Sequence, residues 1–405
     1  MKSEDSKTEG RRKALLQRCR ELNRRKKRAD VVYLAACGTD SLGVTGEKWD
    51  SDPWLLGVAN GVLDLRTGEL RPGRPEYFIR TASPVEWKGR EAKAPTWEKF
   101  LQSTFAGDSD LIFYLQRLFG YGLTGLIVEH VMIILWGLGR NGKGTLIEVI
   151  GVVLGLLAGP IQAELLLEQG RSRSSAGASP DILGLRGKRI VWASETDEGR
   201  RLNAGRVKWL TGGDTLTARG LYAKREVTFQ PSHLLCLLTN HKPMVDADDF
   251  ALWQRLHLIP FNVRFVDNPE AANEAPRDPD LKAKLLAEAP GILAWLVAGC
   301  LDWQKDGLGV PPAAVAGATN EYRENEDLLN HFIEDECQIG QEIQAQAGHL
   351  YEAYKTWAVS GGLRPVSHIK FSEQMGRKFE PRITRNRKFF LGVGLLTPGE
   401  AGGEC

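Results

Sequence analysis

The sequence predicts an α/β protein with a mostly parallel sheet, preceded by a mainly helical domain and followed by a winged-helix-like domain. Three observations lead to this prediction. Short apolar runs alternate with helical segments over Glu129–Arg264, a glycine-rich stretch follows the first run, and two helices with a basic hairpin end the chain. Strands that alternate with helices are typical of parallel sheets, because each helix carries the chain back to start the next strand.

The composition is typical of a folded protein with more than one domain. The chain has 405 residues, of which 42% are hydrophobic and 26% charged. The six cysteines form no C-x-x-C pair, so neither a zinc site nor a disulfide framework is predicted. We expect reduced thiols and a cytoplasmic location, in a bacterial host cytosol or its equivalent. No signal peptide and no membrane-spanning apolar run is found, so no membrane partner is expected.

Changes in composition predict five segments along the chain. Turns at Asn60-Gly61 and Thr67-Gly68 separate short strands, and apolar residues at helical spacing follow from Trp97. The N-terminal basic run RRKALLQRCRELNRRKKR suits either a polyphosphate partner or a solvated helix face. The predicted segments are a basic tail or helix over 1–30, a helical collar-like domain over 31–125, an α/β domain over 126–275, a helical linker over 276–325 and a winged-helix-like domain over 326–405.

The stretch WGLGRNGKGTLIEVI, Trp136–Ile150, predicts a phosphate-binding loop. It contains G-x-x-x-x-G-K between an apolar strand and a helix, which favours a nucleotide loop over a structural turn. Glycines leave backbone N–H groups free to bind phosphate oxygens, the helix N-terminus adds positive potential, and Lys143 supplies a charge. Gly144 stands where a serine or threonine normally holds Mg²⁺. Thr145, one place later, is therefore the candidate magnesium ligand.

Polar residues end the next two predicted strands. Glu195 ends KRIVWASE, with Asp197 two residues on, and a carboxylate there can polarise the water that attacks the γ-phosphate. Asn240 ends HLLCLLTN, where its amide can hold that water or the γ-phosphate. Arg255 follows, and an arginine from a neighbouring subunit can offset transition-state charge. Taken singly, the three also suit a strand-ending acid, a turn and a surface ion pair.

The order of these motifs resembles that of the superfamily 3 helicases. The motifs are GLGRNGKGT, RIVWASETDEG, KWLTGGDTLTARGLYAKREVTFQP, LLTN and QRLHLIPF. They are similar to the helicase part of phage and plasmid primase–helicases and poxvirus-type helicase–primases. The resemblance implies an AAA+-like P-loop ATPase that uses ATP and Mg²⁺ and assembles as a ring, usually a hexamer. Such a ring translocates 3′→5′ on single-stranded DNA during replication of a phage, plasmid or integrated element.

The resemblance also implies roles for individual residues. Glu195 becomes the Walker B acid, which with Thr145 holds the metal ion. Asn240 becomes sensor 1, and Arg255 becomes a finger that acts on the adjacent subunit. The implied nucleotide contacts are Gly137, Gly139, Asn141, Gly142, Lys143, Gly144, Thr145 and, toward the adjacent subunit, Lys208.

Two hairpins are candidate DNA-binding elements. ARGLYAKREVTFQP resembles the pore hairpin of the family, with Lys224 and Arg225 at its tip facing single-stranded DNA in the ring channel. Arg219 either supports the base of this hairpin or contacts phosphate. The C-terminal hairpin is predicted to bind duplex origin DNA, or else to be a packing module with a basic edge. Its candidate contacts are Arg385, Arg387 and Lys388.

Other functions stay open from the sequence. No primase signature is found, so we expect either priming on another chain, a separate primase or polymerase, or else a stand-alone helicase or a truncation. An origin-melting initiator or a packaging ATPase would carry the same phosphate loop. A small-molecule kinase would carry it too, without a ring or a response to DNA.

Overall fold

The N-terminal part combines helices with a small antiparallel sheet. The computed structural model describes residues 2–37, 41–43, 46–169, 178–194, 199–223, 225–363, 365–385 and 387–396. The first elements are α1 (Lys2–Leu22), α2 (Arg25–Ala35), β1 (Leu55–Val58), β2 (Gly61–Asp64), β3 (Glu69–Arg71), α3 (Pro95–Thr104) and α4 (Ser109–Thr124). Asp108 caps α4, because its side chain accepts a hydrogen bond from the Leu111 N–H at 3.0 Å.

A five-stranded parallel sheet forms the centre of the described chain. Its strands, in order, are β10 (Leu256–Pro260), β4 (Met132–Trp136), β9 (Leu234–Thr239), β6 (Ile190–Ser194) and β5 (Ala158–Ile161), and every neighbouring pair runs parallel. The middle strands are buried apolar runs, as expected for a sheet covered on both faces. The sheet and its flanking helices confirm a mixed α/β fold. The elements of this part are β4 (Met132–Trp136), α5 (Lys143–Leu154), β5 (Ala158–Ile161), α6 (Pro180–Leu183), β6 (Ile190–Ser194), α7 (Ala204–Thr211), β7 (Leu216–Ala218), β8 (Val227–Phe229), β9 (Leu234–Thr239), α8 (Phe250–Trp253) and β10 (Leu256–Pro260).

Two short strand pairs lie outside the central sheet. β7 and β8 form an antiparallel hairpin with Leu216 opposite Phe229. After the last central strand come β11 (Arg264–Val266) and β12 (Glu274–Pro276), which pair in parallel.

Helices α9 (Leu281–Ala287), α10 (Ala289–Asp306) and α11 (Ala313–Asn325) follow. α10 packs directly on α4. A Cβ atom on Gly299 would lie 1.9 Å from the Gln116 carbonyl oxygen, and one on Gly120 would lie 2.2 Å from the Cys300 nitrogen. Glycine is required at this close approach. The segment predicted as a linker therefore contains a helix that packs in the core of the α4 region.

The C-terminal part has its own apolar core. It consists of α12 (Leu328–Glu336), β13 (Cys337–Gln346), α13 (Ala347–Ser360), α14 (His368–Lys378), β14 (Pro381–Thr384) and β15 (Arg387–Leu395). The sheet order is β13-β15-β14, antiparallel throughout. Buried Phe332, Tyr354, Phe371 and Phe390 fill the space between helices and sheet. The two helices and the hairpin expected at this end of the chain are present, whereas the predicted segment boundaries remain predictions.

Within the described ranges, no single helix has both the length and the apolar character that a membrane crossing requires. α9 and α10 satisfy that test only when taken together, across a bend of 72°.

Candidate nucleotide site and nucleic-acid surfaces

The glycine-rich loop connects β4 to α5 through left-handed backbone. Gly139, Arg140 and Gly142 have φ angles of +100°, +50° and +85°. Gly142 is the N-cap of α5, so the loop turns directly into the first helical turn. Such a turn directs backbone N–H groups to one side, where they can bind an anion.

Neighbouring side chains fix the position of the loop. Asn141 is buried and donates from Nδ2 to the Phe261 carbonyl oxygen at 3.4 Å. A Cβ atom on Gly137 would lie 2.0 Å from the same Nδ2, so only glycine fits there. A Cβ atom on Gly142 would lie 3.1 Å from the Phe100 ring. Helix α3 thus packs against the loop and restricts its conformation.

Lys143 and Asn240 meet at the carboxyl end of the sheet. Lys143 is only 7% exposed, and its Nζ donates to Asn240 Oδ1 at 2.9 Å and to the Gly137 carbonyl oxygen. Burial lowers the pKa of Lys143 to about 8. The sequence predicted Lys143 in the loop and Asn240 at the end of a separate strand, and the structure brings their side chains into contact.

A cavity of about 900 Å³ opens beside the loop. Arg140, Gly142 and Thr145 form the side nearest the loop. Helix α3 forms a second side through Lys99 and Phe100, and the segment from Phe265 to Lys284 forms the third. This volume lies in the range of pockets that hold small ligands. None of the cavity residues outside the loop was predicted, because the cavity is formed by segments far apart in sequence.

Of the two residues predicted to hold Mg²⁺, Thr145 lies within the described part of the chain. Thr145 is half-buried and lines the cavity, whereas Gly144 is exposed, with only Glu148 Oε1 near a Cβ built on it, at 3.9 Å. Mg²⁺ keeps several waters and needs few protein ligands. Across the described ranges, no three or more His, Cys, Asp or Glu side chains group to hold a metal ion. Glu195 and Asp197 lie outside the described residues.

Arg255 lies at the opposite end of the sheet from the loop. β10 runs parallel to β4, with Leu256 beside Met132 and Pro260 beside Trp136. Arg255 precedes this strand, whereas the loop follows β4, so the strand length of about 16 Å separates them. Its Nη1 donates to the Ala251 carbonyl oxygen at 2.7 Å. The structure therefore does not bring Arg255 to the loop of its own chain.

Lys208 is held by an ion pair. Its Nζ lies 2.7 Å from the Asp249 carboxylate, and Asp249 also caps α8 by accepting from the Leu252 N–H at 3.1 Å. This ties α7 to the helix that precedes Arg255. The predicted contact of Lys208 with nucleotide stays a prediction.

The tip of the β7–β8 hairpin exposes apolar side chains as well as charge. Tyr222 is fully exposed and has a φ of +60°, which is uncommon for a non-glycine residue. Leu221 is 67% exposed and Arg225 is exposed. The half-buried Arg219 donates its backbone N–H to Ser179 Oγ at 3.2 Å. Lys224 lies outside the described residues. The sequence analysis named Lys224, Arg225 and Arg219 as candidate DNA contacts of this hairpin and did not include Tyr222.

The C-terminal hairpin distributes its basic residues unevenly. Arg385 and Arg387 are exposed at the turn between β14 and β15. Lys388 instead donates to Ser372 Oγ on α14 at 2.8 Å, and its Nζ lies 5.0 Å from the centre of the Phe390 ring. Lys388 thus joins the hairpin to α14, and the two arginines are the better placed contacts for a polyanion.

Comparison with known families identifies the N-terminal region. Residues 1–106 match the family model described as "D5 N terminal like". This region precedes β4 and includes α3, the helix that packs against the glycine-rich loop.

Proteins of large DNA viruses are similar to much of the chain. A "Putative helicase" of Acanthamoeba polyphaga mimivirus is 32% identical over 299 residues, 71% of this chain and 31% of that protein. A "Putative helicase" of Frog virus 3 (isolate Goorha) is 27% identical, covering 77% of this chain and 39% of that protein. A "Putative primase" of African swine fever virus (strain Badajoz 1971 Vero-adapted) is 27% identical, covering 70% and 31%. The chain spans about a third of the length of these relatives.

Among solved structures, the apo A form of the NrS-1 C terminal region aligns with the chain. The TM-score is 0.43 and the identity 12%, covering 80% of this chain and 87% of that one.

Proposed function

We propose that the chain is an ATP-driven, ring-forming DNA helicase that translocates 3′→5′ on single-stranded DNA during replication. One observation carries this proposal. Lys143 and Asn240 form a contact under the glycine-rich loop, the loop lines a ligand-sized cavity, and Arg255 lies at the other end of the sheet. The names of the viral relatives support a role in helicase–primase function.

ATP is proposed to bind with its phosphates on the loop and its base in the cavity. The backbone of Gly139–Gly142 and the start of α5 would hold the phosphates, and Lys143 would contact the β and γ oxygens. The Lys143 ammonium then exchanges a carbonyl or amide partner for phosphate. Thr145 and Glu195 would hold Mg²⁺, which stabilises negative charge on the phosphate oxygens. This site is the core of the AAA+-like P-loop ATPase proposed for β4–β10.

The site is proposed to be completed by a second copy of the chain. Arg255 is too far from its own loop to reach the γ-phosphate, but it can reach the loop of a neighbour packed head to tail. The Lys208–Asp249 pair would hold the Arg255 region in place at that boundary. Head-to-tail contacts that close produce a ring, here proposed as a hexamer.

Single-stranded DNA is proposed to pass the β7–β8 hairpin in the ring channel. Arg225 offers a phosphate contact, and the exposed Tyr222 ring offers a face on which a base can stack. Base–aromatic stacking contributes about 1–3 kcal/mol per base and tolerates any sequence, as a translocating enzyme requires. The C-terminal part is proposed to be winged-helix-like and to approach duplex DNA. A separate primase or polymerase and a cytoplasmic location remain part of the proposal.

Strand displacement tests this proposal. The protein should hydrolyse ATP faster with single-stranded DNA and should separate a duplex with a 3′ tail but not one with a 5′ tail. Tyr222→Ala should keep basal ATPase and lose about tenfold in DNA-stimulated turnover, because one stacking contact is removed. Tyr33→Ala, an exposed tyrosine on α2, is the matched control. ATPase that ignores DNA, or equal unwinding by Tyr222→Ala, would contradict the proposal.

An origin-melting initiator is the second candidate. The exposed Arg385 and Arg387 favour it, since a hairpin beside a helix pair can contact duplex backbone. Binding of one duplex sequence far more tightly than random duplex at fixed salt would support the initiator. Equal binding to both would support the helicase alone.

A further inference from the structure

Helix α14 has one cationic side and one buried side. Lys370, Gln374, Arg377 and Lys378 stand at positions i, i+4, i+7 and i+8, which places them on the same side of the helix. The buried residues Phe371 and Met375 lie on another side, in the C-terminal core. We call the first set the cationic face of α14.

An acidic segment of the same chain covers this face. The segment, Asp246–Asp248, follows Asn240 and precedes α8. Lys370 Nζ bonds the Asp246 carboxylate. The Asp248 carboxylate accepts from Gln374 Nε2 at 2.8 Å and lies 3.3 Å from Arg377 Nη1.

The end of the cationic face contacts α12. Lys378 Nζ donates to Asn330 Oδ1 at 2.5 Å and lies 3.4 Å from the Asp327 carboxylate. Each polar side chain of the cationic face therefore has a partner within the chain. The anionic partners are the carboxylates of Asp246, Asp248 and Asp327.

These ion pairs are weak enough to be exchanged. The Arg377 side chain is 63% exposed and Asp248 31%, and Lys370 and Asp246 are 38% and 32% exposed. Ion pairs at such exposure contribute about 0–1 kcal/mol each and are screened by salt. A nucleic-acid backbone offers a row of phosphates and gains from counterion release, so it can compete for the same cations.

The β14–β15 hairpin next to α14 carries further cations that a nucleic-acid backbone could contact. Lys388 bonds Ser372, so β15 lies against α14, and Arg385 and Arg387 are exposed at the turn of that hairpin. Helix and hairpin together present positive charge around a surface that the acidic segment partly occupies.

We propose that the cationic face of α14 is a phosphate-binding surface for DNA, and that Asp246 and Asp248 cover it until DNA displaces them. The surface belongs to the duplex-binding part of the proposed function but does not depend on ATP hydrolysis. Displacement also removes the side-chain contacts between α14 and the segment that leads to α8 and Arg255. DNA bound to α14 would thereby change the contacts that hold the Arg255 region.

Neutralising the acidic segment tests the proposal. Asp246→Asn with Asp248→Asn removes the competing charges and keeps the side-chain size. We expect the nucleotide-free protein to bind a random 20-base-pair duplex about tenfold more tightly. We also expect the slope of log K against log salt to change by less than about 1, because DNA contacts the same cations in both proteins once the acids are displaced. Fluorescence anisotropy across a salt series measures both, and a labelled single strand in parallel shows whether the surface prefers duplex.

Two further variants separate this effect from a general change in charge. Asp302→Asn with Asp306→Asn changes the net charge equally on exposed positions of α10 and should leave affinity within about twofold. Adding Lys370→Gln and Arg377→Gln to the first variant should abolish the gain. Equal affinities for the two Asp→Asn pairs would overturn the proposal. A gain that survives the added substitutions would also overturn it, because the DNA would then bind elsewhere. Either failure would leave ATP-dependent unwinding, and with it the proposed function, unaffected.

Discussion

Two buried cations lie at opposite ends of the central sheet, and they differ in their hydrogen-bond partners. Lys143, 7% exposed, begins α5 at the carboxyl end, and Arg189, 4% exposed, precedes β6 at the amino end. Both lose solvation on burial, which lowers the pKa of Lys143 to about 8 and that of Arg189 to about 10. Burial alone therefore does not distinguish a functional cation from a structural one.

Hydrogen-bond partners distinguish Lys143 from Arg189. Arg189 donates to four backbone carbonyl oxygens of the N-terminal part: that of Thr124, that of Pro53 at 3.2 Å, and those of Asp52 and Leu55 at 3.4 Å each. It joins that part to the sheet, and both its Nη1 and its Nη2 are occupied by these carbonyl oxygens. Lys143 has one carbonyl and one amide as partners, and its neighbours Gly142 and Thr145 line an open cavity. An ammonium has three donors, so Lys143 can still bind a phosphate.

Removal of Lys143 should affect catalysis far more than folding. Lys143→Ala should lower ATPase turnover by about 10²–10³-fold, the loss typical of one group that stabilises transition-state charge. Its melting temperature should fall little, because an incompletely satisfied buried ammonium is removed. Steady-state ATPase and thermal unfolding measure the two effects. Lys305→Ala, at an exposed ion pair on α10, is the control. A Lys143→Ala protein that does not fold would contradict the proposed difference between Lys143 and Arg189.

Removal of Arg189 should have the opposite consequence. Arg189→Ala leaves buried carbonyl oxygens without donors, at about 1–3 kcal/mol each when no water enters, so we expect about 2–4 kcal/mol less stability. Denaturant unfolding measures this loss. Arg186→Ala, three residues earlier and bonded to the exposed Gly46 carbonyl, should cost less than about 1 kcal/mol. A stable Arg189→Ala protein with impaired ATPase would make Arg189 functional and invalidate the comparison.

The pKa of Lys143 predicts a pH dependence of nucleotide binding. ATP binds the ammonium form, so affinity is insensitive to pH below about 8 and weakens above it, by up to about tenfold per pH unit. For the free protein, the pH dependence of folding stability has the opposite sign. Burial disfavours the charged form of Lys143, so stability rises as the pH increases from about 8 toward the pKa of an unfolded lysine. Titration with a non-hydrolysable analogue between about pH 7.5 and 9.5 measures the effect. Lys143→Arg should remove the dependence, and a wild-type affinity that is constant across this range would contradict it.

The sequence predicted the parts of the site that are local. A strand, a glycine-rich turn and a helix are consecutive, so β4, the loop and α5 could be predicted from spacing alone. The contact of Lys143 with Asn240 was not predicted, because the sequence assigned the Asn240 amide to the attacking water or the γ-phosphate and not to Lys143. Arg189 was not predicted, because its partners at 52–55 and 124 are distant in sequence and are backbone atoms. The packing of α10 on α4 was missed for the same reason, since Gly120 and Gly299 become informative only when their helices are adjacent.

Subunit mixing tests the central claim most directly, namely that the loop of one chain is completed by Arg255 of another. Lys143→Ala and Arg255→Ala should each be nearly inactive alone, since an arginine finger contributes about 10³–10⁵ in turnover. In a co-assembled equal mixture, about one interface in four pairs an intact loop with an intact Arg255 across a head-to-tail contact. The account predicts ATPase recovery toward a quarter of the wild-type rate. Full activity of Arg255→Ala alone, or no recovery in assemblies shown to contain both chains, would contradict it.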